Sequence, residues 1–354
     1  DAPTIQAAID IAPSGKTIVV APGEYFENIE IPSKSGIALI SSSGPEMTII
    51  NGGGLGTVIK SVCCQSDFTL DGFTITGGNG EYGGNISGID TYTMNNSTFK
   101  NLIITGNVYG KIYQASPFSN TYENVAIVRN SNGTSNSSRD AALYISGGGS
   151  VDDYCVLKNI TIADNDGMYG ISYGGVENEI DLNIINSVIW GNEQQDETAQ
   201  IVFGHDSNGP AYTINVRNSL VEGGASAISY SSEGQTNASV QWDSSNLTSY
   251  PYFNDPDNGD YSLSSYSPMI GAGASSVTIE GVTYDTPTTD VLGNARPNPA
   301  GTSPDIGAYE SSESVADYNP HKYVATTGDN SNPGTLDLPY LTIQYAIDQA
   351  QDDD

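Results

Sequence analysis

Residues 4–12 place Ile5, Ala8, Ile9 and Ala12 at i, i+3, i+4 and i+7, the stripe of a short amphipathic helix. The period then drops to two. Thr17-Ile18-Val19-Val20, Ile29-Glu30-Ile31, Ile37-Ala38-Leu39-Ile40 and Thr48-Ile49-Ile50 read as short strands separated by Gly, Pro or Ser clusters. Further on, apolar residues around one small polar residue return six times. The units are Leu70-Asp71-Gly72-Phe73-Thr74-Ile75, Phe99-Lys100-Asn101-Leu102-Ile103-Ile104, Tyr122-Glu123-Asn124-Val125-Ala126-Ile127, Leu157-Lys158-Asn159-Ile160-Thr161-Ile162, Ile184-Ile185-Asn186-Ser187-Val188-Ile189 and Val216-Arg217-Asn218-Ser219-Leu220-Val221. With Gly72 and the five Asn as markers, the spacings are 29, 23, 35, 27 and 32 residues. A sandwich has no such long register; a coil of parallel strands with variable inserted loops does.

In such a coil, successive turns lie about 4.8 Å apart, so equivalent residues stack. Asn at a bend tolerates left-handed dihedrals and can hydrogen-bond to the Asn of the next turn. The marker Asn residues are therefore expected to form one structural column at a corner of the coil. The opening helix also returns near the far end: Thr342-Ile343-Gln344-Tyr345-Ala346-Ile347-Asp348-Gln349-Ala350 matches residues 4–12 at seven of nine positions, with an offset of 342 − 4 = 338 residues. The second copy repeats the apolar stripe at Ile343, Ala346, Ile347 and Ala350. That pattern fits one period of a tandem array, or a subunit built to join head to tail.

These segments resemble the right-handed parallel β-helix of the pectin-lyase-like superfamily. Residues 4–10 followed by Thr17 to Tyr25 resemble its capping helix and first coil. Phe253 to Leu263, Ser267 to Gly273, Asp290 to Arg296 and Asp305 to Glu310 resemble the closing segment of secreted bacterial surface β-helix proteins, although Gly271 stands where that pattern often has Asp. Tyr323 to Thr335 and Pro339 resemble what precedes the first helix in such proteins. The resemblance implies an all-β right-handed solenoid: a capping helix at 1–16, coils at 17–250, a closing segment at 251–312, and a linker with the start of a second repeat at 313–354. For activity it implies a range, from lyases and hydrolases to adhesins and inert spikes.

Composition narrows the partners. Acidic residues exceed basic ones by 42 − 11 = 31, which opposes nucleic acid and anionic membrane surfaces. No apolar run is long enough to span a bilayer. Because the sequence opens on Asp1 rather than Met, upstream processing is expected, with an extracellular or cell-surface location. Cys63, Cys64 and Cys155 give no metal spacing and no even-numbered disulfide framework.

Candidate chemistry is sparse. Lys100, Lys158 and Arg217 share the register just before the marker and could grip an acidic glycan; a solvent-facing strand position, also filled by Asp71 and Glu123, accounts for them better. Asp152-Asp153 and Gly204-His205-Asp206 faintly echo polygalacturonase-type hydrolases, without the partner motifs of that resemblance, and His205 and His321 sit in no triad. The best metal candidate is calcium at Asp255, Asp257 and Asp260, three carboxylates around a Gly turn; Asp164-Asn165-Asp166-Gly167 is a lesser one. Tyr82, Tyr92, Tyr109, Tyr113, Tyr169 and Tyr173 fall between expected coils, where they could stack on sugars or on a neighbouring subunit. The function expected from all this is an extracellular structural or adhesive unit repeated head to tail. A polysaccharide lyase or hydrolase, or a carbohydrate-binding module, is the alternative.

Overall fold

The computed structural model describes residues 2–349 apart from 63–64, 81–85, 92–93, 111, 116–118, 133–139, 147–152, 176–179, 193–198, 206–211, 231–237, 317–321 and 336–337. Cys63, Cys64, Tyr82, Tyr92, Asp152, Asp206 and His321 lie outside the described residues, as do the side chains of Tyr113, Asp153 and His205.

The helix Ile5–Ile11 closes the leading end. Thr4 accepts from Ala7 N at 3.1 Å, and Ile5 and Ile9 point into the core. The first coil holds both ends of the helix. Glu27 accepts from Ile5 N and Gln6 N, each at 2.9 Å, and Lys34 Nζ donates to Ile9 O at 2.9 Å and Asp10 O at 2.7 Å.

Behind the helix the chain winds as a parallel β-helix. Among the described residues, a 14-stranded sheet and an 8-stranded sheet wrap one core. In the larger sheet, Thr17–Val20, Ala38–Ser41, Thr69–Asp71, Thr98–Thr105, Thr121–Val128, Asp153–Ala163, Ile180–Ile185, Tyr212–Arg217 and Ala238–Trp242 follow one another in parallel. Side chains stack by register: Leu39, Leu70, Phe99, Tyr122, Leu157, Ile184 and Val216 form one inward column. The Phe99 and Tyr122 rings within it stack at 5.0 Å. In the smaller sheet Ile29, Ile59, Ile89, Ile112, Leu143, Ile171, Ile201 and Ile228 make another.

The marker residues occupy one corner, as expected. Gly72, Asn101, Asn124, Asn159, Asn186 and Asn218 all have positive φ, from 47° to 84°, and bend each strand into two faces. Their side chains are not a continuous ladder, however. Asn124 Nδ2 donates to Asn101 Oδ1 at 3.1 Å and Asn101 Nδ2 to Asp71 Oδ1 at 2.7 Å, but farther along the amides turn outward. Asn124 donates to Thr289 O at 2.8 Å, Asn159 to Asp305 O and Gly307 O at 3.3 Å, and Asn186 to Ala274 O at 2.8 Å. All these acceptors belong to the closing segment, whose backbone offers closer partners than the next amide does.

The continuous ladder lies six residues past the marker, fully inside. Asn107 donates to Asn130 at 3.0 Å, Asn130 to Asn165 at 3.0 Å, Asn165 to Asn192 at 2.8 Å, and Asn192 to Gln200 Oε1 at 2.9 Å. Each amide also serves the turn: Asn165 Nδ2 donates to Ile127 O and Ala163 O, and its Oδ1 accepts from Asn130 N.

The closing segment runs along the flank of the coil. Tyr261, Val291, Ala308 and Tyr309 pack on Ala126, Val128 and Ala163, while Leu263, Met269, Ile270 and Ile306 pack on Val188 and Leu220. Beyond it, the described residues between 323 and 349 pair with one another, Tyr340 N donating to Tyr323 O and Ala325 N to Tyr340 O, each at 2.9 Å, before the helix Ile343–Gln349. Tyr252 of the closing segment donates to Pro333 O at 3.4 Å.

Asn165→Ala deletes the middle of the ladder and leaves several backbone groups buried without partners. A loss of about 3 kcal/mol is expected, read as a lower urea midpoint at unchanged slope. A loss well under about 1 kcal/mol would show that the ladder contributes little.

Candidate functional site

The position five residues past the marker is also left-handed on every coil: Gly77, Gly106, Arg129, Asp164, Gly191 and Gly223 have φ of 68°, 66°, 54°, 52°, 65° and 70°. Glycine suits this station because it has no Cβ to clash. Two adjacent coils instead carry Arg129 and Asp164, placed side by side by the pairing of Val128 with Ala163. Side chains held in this region cost about 1–2 kcal/mol each, less for Asp, and such outliers cluster at functional sites.

Both line a cavity of about 300 Å³ between this corner and a hairpin of the closing segment, Phe253–Asp255 paired with Asp260–Leu263, with Asp166, Pro256, Asp257 and Tyr261 on its walls. The short 3-10 turn Pro256–Asn258 carries Asp257 to the rim. Gly259, at φ 92°, lets the guanidinium approach, since a Cβ there would stand 3.2 Å from Arg129 Nη1. Tyr261 is buried and donates to Asp164 Oδ2 at 2.8 Å; burial and the neighbouring Asp164 charge hold its phenol well above the usual range. Among the described residues Arg129 forms no ion pair within 4 Å.

The rest of the closing segment holds a buried charge cluster. Arg296 Nε lies 2.8 Å from Glu310 Oε2 without aligning its N–H on that oxygen, and both side chains are fully enclosed. Arg296 also donates to Asn124 Oδ1 at 3.2 Å and Gly307 O at 3.1 Å, tying the closing segment to the marker column. Asp290 accepts from Leu292 N, Asn294 N and Glu310 N. Burial raises Asp305 to about 7 against the backbone N–H donors of Ser311 and Gly271, which pull it down.

The expected calcium triad is not drawn into one cage. Asp255 accepts from Asn258 Nδ2 at 2.8 Å, Asp260 accepts from Ser262 N at 3.0 Å, and only Asp257 faces the cavity. Among the described residues no group of three or more His, Cys, Asp or Glu is placed to hold a metal ion. The fold does bring Asp257 together with Asp164 and Asp166, residues of the lesser candidate. The register bases are structural neighbours of acids: Asp71, Lys100, Glu123 and Lys158 stack in alternating sign. Lys100 sits 3.4 Å from Asp71, Lys158 2.8 Å from Glu123, and Arg217 3.9 Å from Asp243. Tyr169 and Tyr173 are strand residues buried in the protein, not surface loops; Tyr109 is half-buried in a turn. Arg129 was invisible as a site residue, although its signal, a non-glycine five residues past the marker, is present in the sequence.

No family model and no curated sequence matches this chain. Among solved structures it is similar to the pectate lyase Pel9A, at 15% identity and a TM-score of 0.38, covering 86% of this chain and 90% of that one. It is also similar to a pectin methylesterase from carrot, at 13% identity and a TM-score of 0.39, covering 69% of this chain and 86% of that one. The likeness is one of architecture. By its own strand register the chain is a parallel β-helix.

Two outcomes follow from the buried cluster. Glu310→Ala strands the Arg296 charge and is expected to cost about 3–5 kcal/mol by urea unfolding, whereas Arg296→Met with Glu310→Leu costs far less. A carboxyl whose pKa is raised by folding stabilises the fold fully below about pH 4, and that contribution is lost as pH rises through about 7. Proteolytic release of residues 251–312 should therefore quicken between about pH 5 and pH 8, and Asp305→Asn should flatten the profile.

Proposed function

We propose that this chain is an extracellular structural or adhesive β-helix unit that is joined to its own kind end to end. One contrast carries the reading. Ile5 and Ile9 are 2% and 0% exposed, while their counterparts Ile343 and Ile347 are 70% and 61% exposed. The two helices share an internal bond as well, Gln6 Nε2 to Asp10 at 2.9 Å and Gln344 Nε2 to Asp348 at 2.8 Å. The second helix, with Ala346 of its stripe buried and Ile343 and Ile347 exposed, would thus serve as the cap of a further coil. The leading end of another unit would offer it the core that buries Ile5 and Ile9, and a Glu and a Lys at the stations of Glu27 and Lys34 for its ends.

The distribution of exposed apolar side chains supports the same reading. Ile11, Val19, Phe26, Met47, Leu55 and Val62 cluster at the leading coils, and Val315, Val324, Leu338 and Leu341 accompany Ile343 and Ile347. Among the described residues, only Val108, Tyr266 and Val282 are comparable large exposed hydrophobics between them. Apolar surface gathered at two ends marks interaction sites, and burying each isoleucine would contribute about 1.5–3 kcal/mol. A head-to-tail contact of this kind extends without closing. The pairing of the register bases with acids gives no support to a lyase-type proton abstraction.

The test is a joined chain in which residues 13–312 follow directly on residue 350. The amides of Ile343 and Ile347 should become as protected from hydrogen exchange as those of Ile5 and Ile9, and Ile343→Asp with Ile347→Asp should unfold the added unit selectively. Free exchange at Ile347 in the joined chain, with the added coils folded, would sink the proposal.

A further inference from the structure

We propose that the cavity between the Arg129–Asp164 corner and the closing hairpin binds a pyranose ring of a neutral glycan. This site lies on the flank of the rod and does not depend on the end-to-end reading.

The donor set is the first argument. A guanidinium offers N–H donors and no acceptor, whereas carboxylates only accept. Arg129 stands among Asp164, Asp166 and Asp257 on the walls of one open cavity of about 300 Å³, the lower end of the usual range for ligand pockets. Groups that only donate, set beside groups that only accept, suit a ligand whose groups do both on adjacent atoms. Neighbouring sugar hydroxyls are such groups.

The second argument is aromatic and independent of the charges. Trp190 and Tyr250 meet edge to face at 5.5 Å, and Tyr250 and Tyr252 at 5.1 Å, all three half-buried. Trp190 is tied to the cavity corner, because Asp164 N donates to Trp190 O at 3.1 Å. The Tyr250 hydroxyl lies in the field of Asp164 and Asp257, which add to the effect of burial in raising its pKa. The aromatic step thus stands next to the cavity corner rather than on its wall. On the wall, the lining polar side chains beside the charges are Asn130, Ser131 and Tyr261. C–H faces of a ring reaching past the cavity would meet that step and its hydroxyls the wall.

Charge selects among ligands. Three carboxylates against one guanidinium, on a chain of net charge −31, repel uronates and phosphates. A divalent cation meets the opposite obstacle, the guanidinium of Arg129 in the same space. A neutral ring suffers neither penalty. The left-handed backbone at Arg129 and Asp164, where the other marked coils carry glycine, is a local cost that these two side chains bring to the corner.

That same glycine column supplies a clean variant. Arg129→Gly restores the residue its neighbours use and removes strain, so the melting temperature should stay level or rise. In calorimetric titrations of the full chain with neutral hexasaccharides of glucan, galactan, mannan and xylan type, at least one should bind. Its affinity should fall at least about tenfold in both Arg129→Gly and Asp257→Asn, while hexagalacturonate binds more weakly than the neutral ligand. The proposal is overturned if no neutral hexasaccharide binds, if Arg129→Gly binds as well as the parent chain, or if hexagalacturonate is preferred. Saturable binding of calcium chloride alone that is lost in Asp257→Asn and strengthened in Arg129→Gly would reassign the cavity to a cation, and would equally overturn it.

Discussion

In a parallel coil each side chain meets the residue at the same station of the next turn, about 4.8 Å away, and everything else in this molecule is arranged around that encounter. A column must be compatible with itself. Apolar columns satisfy this by shape, as in the Leu39 to Val216 stack. Amide columns satisfy it because Asn carries a donor and an acceptor, so the chain from Asn107 to Asn192 can repeat one bond. A column of like charges cannot, and Asp71, Lys100, Glu123 and Lys158 therefore alternate in sign.

The flank obeys a second constraint. The outward residues Ala126, Val128, Ala163, Val188 and Leu220 are apolar, so these strands are buried on both faces and need a cover. The closing segment provides it and must also register correctly along an axis on which coils look alike. The Arg296–Glu310 pair fixes that register: Arg296 reaches Asn124 on one particular coil, and Asn159 and Asn186 take backbone groups from other points of the same segment. A buried ion pair is weak evidence for stability; here its geometry says where the segment sits.

The coil was legible because its period is written in Asn. Asn101, Asn124, Asn159, Asn186 and Asn218 share a dihedral class and a corner, as their spacing implied. The ladder six residues on was equally present in the sequence, but its Asn residues read as ordinary turn formers; which amide faces inward is decided by the bend. The docking of the closing segment was not legible, because contacts such as Asn124 with Arg296 span 172 positions and leave no local pattern. The same holds for the cavity. Asp257 and Asp164 belong to two Asp-rich turns that looked like separate cation loops, and only the packing of Tyr261 on Asp164 joins them. Within the second of these turns, around Asp257, the three carboxylates diverge: one oxygen of Asp255 takes Asn258 and one of Asp260 takes Ser262.

A solenoid has two kinds of surface, and they cannot serve the same purpose. Its ends present open strand edges and core cross-sections, which must be capped or continued. Its flank is closed by hydrogen bonding and is free to vary, since an insertion between coils leaves the register intact. In this chain the exposed isoleucines of the second helix repeat those that the first helix buries at the leading end, whereas Arg129, Asp164 and the aromatic step of Trp190 and Tyr250 lie on the flank. If units are joined through their ends, each added unit repeats the flank cavity once per period along the rod. Weak binding at single cavities would then combine along a polymeric ligand, whose second and later contacts are made at high effective concentration. A long glycan would be a ligand of that shape, so under the two proposals above a modest pocket repeated along a rod would suffice for adhesion without a single strong site.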